Sequence, residues 1–552
     1  MPVSGHWTLS RRASILATVG VRQDVTGTTR VGVRRRAGAV TVLVAVAMSL
    51  FVVGVVAADA ALSSCTDVAW GCETVHDPDP GAAGSNTAIA FDASGEAWVS
   101  FRDQDAQALM VARYIGSGGT CAGNAAWECA FVDDSAGHDV GFETDIAFTS
   151  DGTAWVSYQD TTTDDLRVAH TCAAAPSGWC VEVVDSARQV GGYSAIAVEN
   201  DTPLVTYWDS GNDDLRWARR AGGGVSCDAA GWDCGVVDSG PVGAYANDLA
   251  VDSVGRAWAA YRYSGSGTGP KAAKLVVAMH VGTGGTGCVG GSPEWTCVPV
   301  ARTGNVGLDT GIAFDSTGSA WVHYWNSQNL NLARLDPGGT ASRCDVAADW
   351  SCSTIHDVSD SLGEYGAIAF DVDGSPWVAY YGATATNAYV AHYVGSGAGA
   401  GCGAGGSSDW ICSTLDDAGD MGAYWMGIAT NPATGKPWVS YFDRGNGALK
   451  VAVLHGASEP PPPPDPGTAP VIDSFSPTSG KVGTQVTIIG SNLGDTTAVA
   501  FNGLAASPDA TDVQSGTWVT ATVPSGAKTG PITITTPSGS ATSTQNFRVT
   551  KR

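Results

Sequence analysis

The fourteen cysteines are the residues of this sequence whose type and spacing point most directly to chemistry. They fall into close pairs, and a tryptophan stands one or two residues before the second cysteine of each pair. Zinc sites usually have C-x-x-C spacings or recurring histidines, and neither accompanies these pairs. We therefore predict seven local disulfides and no metal, with Cys65 bonded to Cys72, Cys121 to Cys129, Cys172 to Cys180, Cys227 to Cys234, Cys288 to Cys297, Cys344 to Cys352 and Cys402 to Cys412.

A second set of residues with binding chemistry consists of aromatic and acidic side chains near the ends of a recurring strand. Aromatic faces stack on the C–H surfaces of sugars and carboxylates accept hydrogen bonds, so this set predicts a carbohydrate or peptide site. Because most positions recur in every copy, they also fit packing between sheets and capping of turns. The predicted ligand-binding residues, several of which break the repeat, are Trp208, Asp209, Trp325, Tyr381, Trp425, Phe442 and Asp443.

Motifs of known catalytic sites do not occur in this sequence. It has no H-E-x-x-H, P-loop, G-x-S-x-G or zinc pattern. A glycosidase needs two carboxylates at a suitable separation, and acidic residues are too plentiful here to single out a pair. Acidic glycine-rich turns such as 371–374 lack the full ligand series of an EF-hand, so we interpret them as hairpin turns. The sequence therefore predicts no catalytic residue, no metal and no cofactor.

The charge of the chain excludes one class of partner. The formal net charge is −25, and the first 60 residues contain seven Arg and two Asp. Without that segment, 22 basic residues stand against 52 acidic ones. A surface this acidic repels phosphate backbones, so we expect no nucleic-acid partner.

The N-terminal 60 residues have the pattern of an export signal. Three arginines at 34–36 precede an uncharged stretch at 37–58, and Ala58-Asp59-Ala60 fits a small-x-small cleavage site. The uncharged stretch is also long enough to span a bilayer, so a retained membrane anchor is the alternative. In both cases the remaining chain is predicted to be secreted or displayed at the cell surface.

Strand patterns recur with the same period as the cysteine pairs, about 57 residues. Each copy contains an apolar strand, a second strand that usually holds a tryptophan, a third strand of Leu-x-Val-Ala type and a fourth strand after the cysteines. Examples in the first copy are 88–92, 97–101 and 109–113. No helical pattern lies between them, and the 72 glycines suit short turns. The sequence predicts an all-β chain with a seven-bladed β-propeller at 61–457.

The repeat region has an incomplete copy at its C-terminal end and an extra strand at its N-terminal end. The last copy stops after its third strand, while a spare fourth strand at 73–77 stands before the first copy. We expect this N-terminal strand to pair with the strand at 449–454 and to close the ring, because closure removes exposed sheet edges.

A proline-rich segment at 458–468, with five consecutive prolines at 460–464, predicts a stiff linker. The chain from 469 to 550 has no cysteine and contains Pro-Val-Ile-Asp-Ser-Phe-Ser-Pro at 470–477 and Gly-Thr-Gln-Val-Thr-Ile-Ile-Gly at 483–490. These motifs resemble the IPT/TIG family. The resemblance implies an immunoglobulin-like β-sandwich that serves as a spacer or contact module.

The repeats themselves resemble secreted bacterial propellers of the sialidase-like and lectin-like kind. Turns such as Asp92-Ala-Ser-Gly95-Glu-Ala-Trp98 resemble an Asp-box, but the aspartate lies three residues before the glycine where the Asp-box has two. The resemblance therefore implies a related architecture and does not carry over a catalytic site.

The order of the strands in each repeat predicts on which face of the sheets the candidate site lies. In such repeats the loops between the second and third strands share one face with the loops that lead into the first strand, and the cysteine loops lie on the other. We predict a non-catalytic binding or adhesion protein that recognises a glycan or a protein on the first of these faces. The alternative is a glycan-acting hydrolase, sialidase-like or otherwise, on the same scaffold.

Overall fold

A computed structural model of the chain shows β-strands joined by turns, and the residues it describes contain no helix. Two short strands, β1 (Gly20–Gln23) and β2 (Thr29–Gly32), form an antiparallel hairpin in a unit separate from the rest. The structure describes residues 20–23, 29–32, 63–78, 81–455 except 176, 188, 222–225, 243–246, 266–273, 338–342, 359–360, 396 and 423, and 470–550 except 492, 494–495, 497, 507–517 and 537–538.

Four-stranded antiparallel sheets repeat along the chain, and in each sheet the strands are neighbours in their sequence order. The prediction of all-β repeats with that strand order is confirmed. After β3 (Ser63–Ser64) and β4 (Trp70–His76), sheet 1 has β5 (Ala83–Phe91), β6 (Ala97–Asp103), β7 (Ala108–Tyr114) and β8 (Trp127–Asp133); sheet 2 has β9 (Val140–Phe148), β10 (Ala154–Asp160), β11 (Asp165–Thr171) and β12 (Trp179–Asp185); sheet 3 has β13 (Val190–Glu199), β14 (Thr202–Asp209), β15 (Asp214–Arg220) and β16 (Trp232–Asp238); sheet 4 has β17 (Asp248–Val251), β18 (Ala257–Tyr263), β19 (Lys274–His280) and β20 (Trp295–Ala301); sheet 5 has β21 (Leu308–Phe314), β22 (Ala320–Trp325), β23 (Leu330–Leu335) and β24 (Trp350–His356); sheet 6 has β25 (Leu362–Phe370), β26 (Pro376–Gly382), β27 (Asn387–Tyr393) and β28 (Trp410–Asp416).

Sheet 7 combines strands from both ends of the repeat region. Its order is β29 (Gly427–Thr430), β30 (Pro437–Asp443), β31 (Ala448–Leu454), then β4 and β3. Strand β4 lies antiparallel to β31, with Cys72 opposite Ala452. The prediction that the N-terminal strand completes the last repeat is therefore confirmed.

The first strands of the sheets lie innermost and follow one another in space. Strand β5 contacts β9, and the series continues through β13, β17, β21 and β25 to β29, which contacts β5. The apolar core lies between neighbouring sheets. In one cluster Leu109 and Val132 of sheet 1 pack with Val140 and Val156 of sheet 2. The arrangement is a propeller-like series of sheets.

A buried hydrogen bond recurs between neighbouring sheets. A tyrosine hydroxyl on the second strand of one sheet donates to an aspartate at the end of the fourth strand of the sheet before it. The alignment of the strands brings the tyrosine hydroxyl and the aspartate carboxylate together. In three of these sheets, a basic residue on the third strand, beside the tyrosine, also contacts the same aspartate. The hydroxyl–carboxylate pairs are Tyr158–Asp133 at 2.7 Å, Tyr207–Asp185 at 2.6 Å, Tyr261–Asp238 at 2.6 Å and Tyr441–Asp416 at 2.8 Å, and the basic contacts are Arg167–Asp133, Arg216–Asp185 and Lys450–Asp416.

Disulfides close the cysteine loops, and all seven predicted pairs are confirmed. In each loop the second cysteine lies on the fourth strand of its sheet, or on β4 in sheet 7, and the first cysteine lies in the segment before that strand. The bonds join Cys65 to Cys72, Cys121 to Cys129, Cys172 to Cys180, Cys227 to Cys234, Cys288 to Cys297, Cys344 to Cys352 and Cys402 to Cys412.

The tryptophan at the start of a fourth strand packs edge-on against the tryptophan on the second strand of the preceding sheet. These ring pairs are Trp98–Trp179, Trp155–Trp232, Trp377–Trp70 and Trp438–Trp127, with centroids 5.6 to 6.5 Å apart. These four disulfide loops are therefore anchored to the neighbouring sheet by the ring beside the second cysteine.

The C-terminal region forms two sheets around a core of its own. One sheet has the order β32-β34-β37 and the other β33-β39-β38-β35-β36. Phe475, Val486, Phe501, Ile532 and Phe547 are buried in one apolar cluster between them. The strands are β32 (Val471–Ser476), β33 (Ser479–Gly480), β34 (Gln485–Ser491), β35 (Ala498–Phe501), β36 (Leu504–Ala506), β37 (Trp518–Thr522), β38 (Gly530–Thr536) and β39 (Gly539–Val549).

Two sequence predictions fall outside the described residues. These are the export signal, with its uncharged stretch at 37–58, and the proline-rich linker at 458–468. Among the residues that the structure does describe, no helix has the length and apolar character needed to cross a membrane.

Candidate functional site

A cavity of about 260 Å³ lies where the innermost strands of the sheets approach one another. Its lining comes from all of sheets 1 to 7, and each sheet contributes residues of its first strand or the residues just before that strand. Residues far apart in the chain therefore meet at one point of the molecule.

A β-bulge in the first strand aims side chains at this cavity. In five sheets the pairing between the first and second strands skips a residue, and the residue at the bulge has a positive φ of 43° to 54°. A bulge bends its strand and redirects the side chains around it. The bulge residues are Asn86, Glu143, Tyr193, Asp309 and Tyr365, and the last four line the cavity.

Aromatic rings from three sheets meet at the cavity. The ring of Trp425 lies 4.8 Å from that of Tyr365 and 5.7 Å from that of Tyr193, measured between centroids. Trp208 contacts Tyr193 at 6.0 Å, and Tyr381 contacts Tyr365 at 6.1 Å. We call these five residues the aromatic cluster. Tyr193 and Tyr365 lie at the bulges of first strands, Trp425 lies in the segment before β29, and Trp208 and Tyr381 lie near the ends of second strands.

Two aspartates of the cavity connect neighbouring innermost strands. Asp145 accepts hydrogen bonds from the backbone N–H of Ile146 and of Ile196 in the next sheet, both at 2.8 Å. Asp248 accepts in the same way from Leu249 and from Ile312, also at 2.8 Å. Burial raises the pKa of Asp145 to about 7, with a contribution from the charge of Asp248, and burial raises the pKa of Asp248 to about 6.

Two further carboxylates lie at the bulges. Glu143 accepts a hydrogen bond from the backbone N–H of Tyr193, and burial raises its pKa to about 7. Burial likewise raises the pKa of Asp309 to about 7, and the nearby charge of Glu364 adds to the effect. Each carboxylate thus lies in an environment that disfavours its charged form.

Positive charge is missing from the described lining of the cavity, which contains no Lys, Arg or His. Two arginines lie over aromatic rings of this face, Arg102 over Phe142 and Arg444 over Tyr424, and both form ion pairs with aspartates outside the cavity lining. Arg102 contacts Asp139 at 2.6 Å, and Arg444 contacts Asp420 at 3.1 Å. The described residues therefore place no arginine cluster in the cavity.

Three of the residues predicted to bind ligand, Trp208, Tyr381 and Trp425, belong to the aromatic cluster. Trp325 is half-buried at the end of β22, opposite Leu308, and no ring contact joins it to the cluster among the described residues. The hydroxyl of Tyr381 also donates to Asp420 at 2.9 Å.

The other three predicted ligand residues are buried at the ends of second strands. Asp209 accepts hydrogen bonds from the backbone N–H of Asn212 at 3.0 Å, and Asp443 accepts from that of Asn446, also at 3.0 Å. Phe442 is almost fully buried. The structure therefore places these carboxylates as turn caps, because an aspartate after a strand can satisfy the N–H groups of a tight turn.

Sequence reasoning missed the four carboxylates of the cavity. The residue before the apolar Ile or Leu of the first strand is Ala or Gly in five copies and Asp in two, Asp145 and Asp248. That break in the repeat could have identified both. No comparable signal marks Glu143 and Asp309, since their positions vary from copy to copy.

The acidic hairpin turns and the one histidine–cysteine group have structural partners. Asp371 accepts hydrogen bonds from the indole N–H of Trp377 at 3.0 Å and from the backbone N–H of Ser375 at 2.9 Å. His76 lies beside Cys121 and Cys129, but these two cysteines are bonded to each other and offer no thiolate to a metal.

Comparison with known proteins identifies the C-terminal region. Residues 470–550 match the IPT/TIG domain family. This region is an IPT/TIG domain. The two sheets β32-β34-β37 and β33-β39-β38-β35-β36 are therefore the sheets of the IPT/TIG domain. No curated protein sequence matches the chain.

Several solved structures have a similar arrangement at low sequence identity. A protein of unknown function from Dyadobacter fermentans DSM 18053 is 11% identical, with a TM-score of 0.39 over 69% of this chain and 97% of that one. An α-L-arabinofuranosidase of Fusarium graminearum is 11% identical, with a TM-score of 0.36 over 56% and 91%. Extracellular domains of Drosophila Semaphorin 1b are 9% identical, with a TM-score of 0.35 over 69% and 88%.

Proposed function

We propose that sheets 1 to 7 are the blades of a closed seven-bladed β-propeller in a secreted or cell-surface binding protein. The cyclic contacts of the innermost strands and the pairing of β4 with β31 support closure. The seven disulfides support export, because such bonds persist in oxidising compartments. The IPT/TIG domain then serves as a spacer or contact module.

The propeller face with the aromatic cluster is proposed to recognise a glycan without cleaving it. The observation that carries this proposal is the meeting of Tyr193, Tyr365 and Trp425 at a cavity lined by carboxylates. Aromatic faces bind the apolar faces of sugar rings, and carboxylates orient the hydroxyl groups.

A glycan-acting hydrolase is the second candidate, and one observation favours it. Glu143 and Asp309 both have a pKa raised to about 7, as a general acid at neutral pH would need. Asp145 and Asp248 each bridge adjacent strands through two backbone hydrogen bonds, which gives them a structural task.

A glycan array combined with turnover assays on the same purified protein tests the proposal. We expect binding without turnover. The Trp425→Ala variant should weaken binding by about tenfold or more, because a stacking ring is lost. Phe131→Ala is the matched control, since Phe131 is an exposed aromatic residue on strand β8, outside the cavity.

The possible outcomes separate the candidates. Binding that is lost in Trp425→Ala and kept in Phe131→Ala, without turnover, supports a glycan-binding protein. Turnover that disappears in Glu143→Gln supports the hydrolase and overturns the non-catalytic proposal. Absence of both binding and turnover across the array overturns both candidates. Thermal unfolding of each variant checks that the fold is kept.

A further inference from the structure

We propose that the cavity binds a sugar residue with a free ammonium group, such as a hexosamine without its N-acetyl group. The inference rests on the proposed glycan-binding function and names the ligand class of the same site.

The first argument for a cationic ligand is the charge of the residues that line the cavity. Glu143, Asp145, Asp248 and Asp309 line one space of about 260 Å³, and no basic residue is among the described lining residues. Carboxylates in a low-dielectric site are strongly stabilised by a positive partner within a few ångströms. A cationic ligand supplies the charge that the described lining lacks.

The aromatic rings favour an organic ammonium over a bare metal ion. Tyr193, Tyr365 and Trp425 line the same cavity as the carboxylates, and Trp425 contacts both tyrosine rings. A cation over an aromatic face is attracted by the ring electrons, and a sugar ring covers the apolar surface that a metal ion would leave unused.

The free hydrogen-bond acceptors of the cavity carboxylates also suit an ammonium group. An ionised carboxylate has about four acceptor positions, and Asp145 and Asp248 each use two of them on backbone N–H groups. An ammonium group has three donors and no acceptor, so it matches a lining of carboxylates. The small cavity suits a single sugar residue, because pockets for drug-sized ligands measure about 300 Å³ or more.

The inference predicts a definite dependence on pH. The four carboxylates have pKa values of about 6 to 7, so they are largely neutral at about pH 5 and charged at about pH 7.5. Glu364 and Tyr365 also face Asp309, and burial raises the pKa of Tyr365 to about 12, so this hydroxyl is neutral. His323 lies behind Gly311 and Gly366, and burial lowers its pKa to about 4, so it is uncharged and offers no countercharge.

Acidification to about pH 5 therefore removes negative charge from the cavity. Raising the pH above about 8 removes the proton of the ligand's amine, because the electron-withdrawing oxygens of the sugar keep the pKa of this amine near neutrality. The affinity for an aminoglycan should therefore be highest at about pH 7 and fall by about tenfold or more toward about pH 5, whereas the affinity for a neutral glycan should hardly change.

Titration calorimetry with glucosamine oligomers and with N-acetylglucosamine oligomers of equal length tests the inference on the full-length protein. We expect the glucosamine oligomers to bind about tenfold tighter or better at about pH 7. Glu143→Gln keeps an acceptor for the N–H of Tyr193 but removes the charge, and it should abolish this preference. Asp373→Asn is the matched control, because Asp373 lies on an exposed turn and its loss changes the net charge equally.

The possible results of this experiment distinguish failure of the inference from failure of the proposed function. A preference for glucosamine oligomers that is lost in Glu143→Gln and kept in Asp373→Asn supports the inference. Equal or tighter binding of the N-acetylated oligomers, or an equal effect of the two variants, overturns the inference and leaves the proposed glycan-binding function standing. Failure of every glycan to bind overturns that proposed function and the inference with it. Unfolding curves for both variants show whether a loss of binding is a loss of fold.

Discussion

At the scale of single residues, the buried tyrosine of the second strand recurs in six sheets, whereas the residue at the end of the fourth strand before it is Asp in four sheets and His or Ala in the others. Where the fourth strand ends in His76, the next sheet has Phe101, whose ring lies 5.8 Å from the imidazole. Where the fourth strand ends in Ala301, no carboxylate stands at that position for Tyr324. A buried carboxylate needs donors, which explains why aspartates occur opposite tyrosines.

Tyr158→Phe tests this pairing. The change removes the hydroxyl that donates to Asp133 and leaves a buried carboxylate with one donor fewer. We expect the free energy of unfolding to fall by about 1.5–3 kcal/mol, the usual range for a hydrogen bond to a charged group. Urea unfolding measures the loss. Tyr324→Phe is the control and should cost less, so an equal cost at both positions would contradict the pairing argument.

At the scale of the element, the cysteine loop fixes the fourth strand to the third. Cys172 and Cys180 close a loop with a sequence separation of 8, and Trp179 between them packs against Trp98 of the preceding sheet. The disulfide limits the freedom of the unfolded loop, so the strand and its tryptophan are held with little entropic cost on folding.

The double variant Cys172→Ser/Cys180→Ser measures this contribution. Both cysteines are only half-buried, so the serine hydroxyls can be solvated. We expect a loss of about 2.5 kcal/mol in the free energy of unfolding. The same change at Cys227 and Cys234, which are also half-buried and have a separation of 7, should cost a similar amount. Unchanged stability in both variants would show that the loops are ordered without their disulfides.

At the scale of the whole molecule, sheet 7 joins the N-terminal end of the repeat region to its C-terminal end. Strand β4 brings Trp70 and Val75 into buried positions, and Trp70 packs on Trp377 of sheet 6. Thr66 also donates to Asp417 at 2.6 Å, so the segment before β4 contacts sheet 6 as well. Opening this connection would expose the edge of β31 and break contacts to two sheets.

Two truncations distinguish the roles of the N-terminal residues. Removal of residues 1–60 should leave the unfolding midpoint unchanged. Removal of residues 1–78 also deletes β4 and should cost on the order of 5 kcal/mol or more, because buried Trp70 and Val75 leave the core. Thermal unfolding and size-exclusion chromatography compare the two proteins. Equal midpoints would contradict the role assigned to β4.

The period, the strand order, the disulfide pairs, the IPT/TIG domain and the strand that completes sheet 7 could all be predicted from the amino-acid sequence. These features depend on local patterns, such as Cys–Trp–Cys spacing and alternating strands, which repeat often enough to be recognised. Tertiary structure alone decided which acidic residues line the cavity. Glu143, Asp248 and Asp309 lie in different repeats, and bulges and the convergence of the innermost strands bring them together. Asp209 and Asp443 have the same chemistry as these residues but cap turns, because the position of a carboxylate within the fold decides whether it faces a tight turn or the cavity.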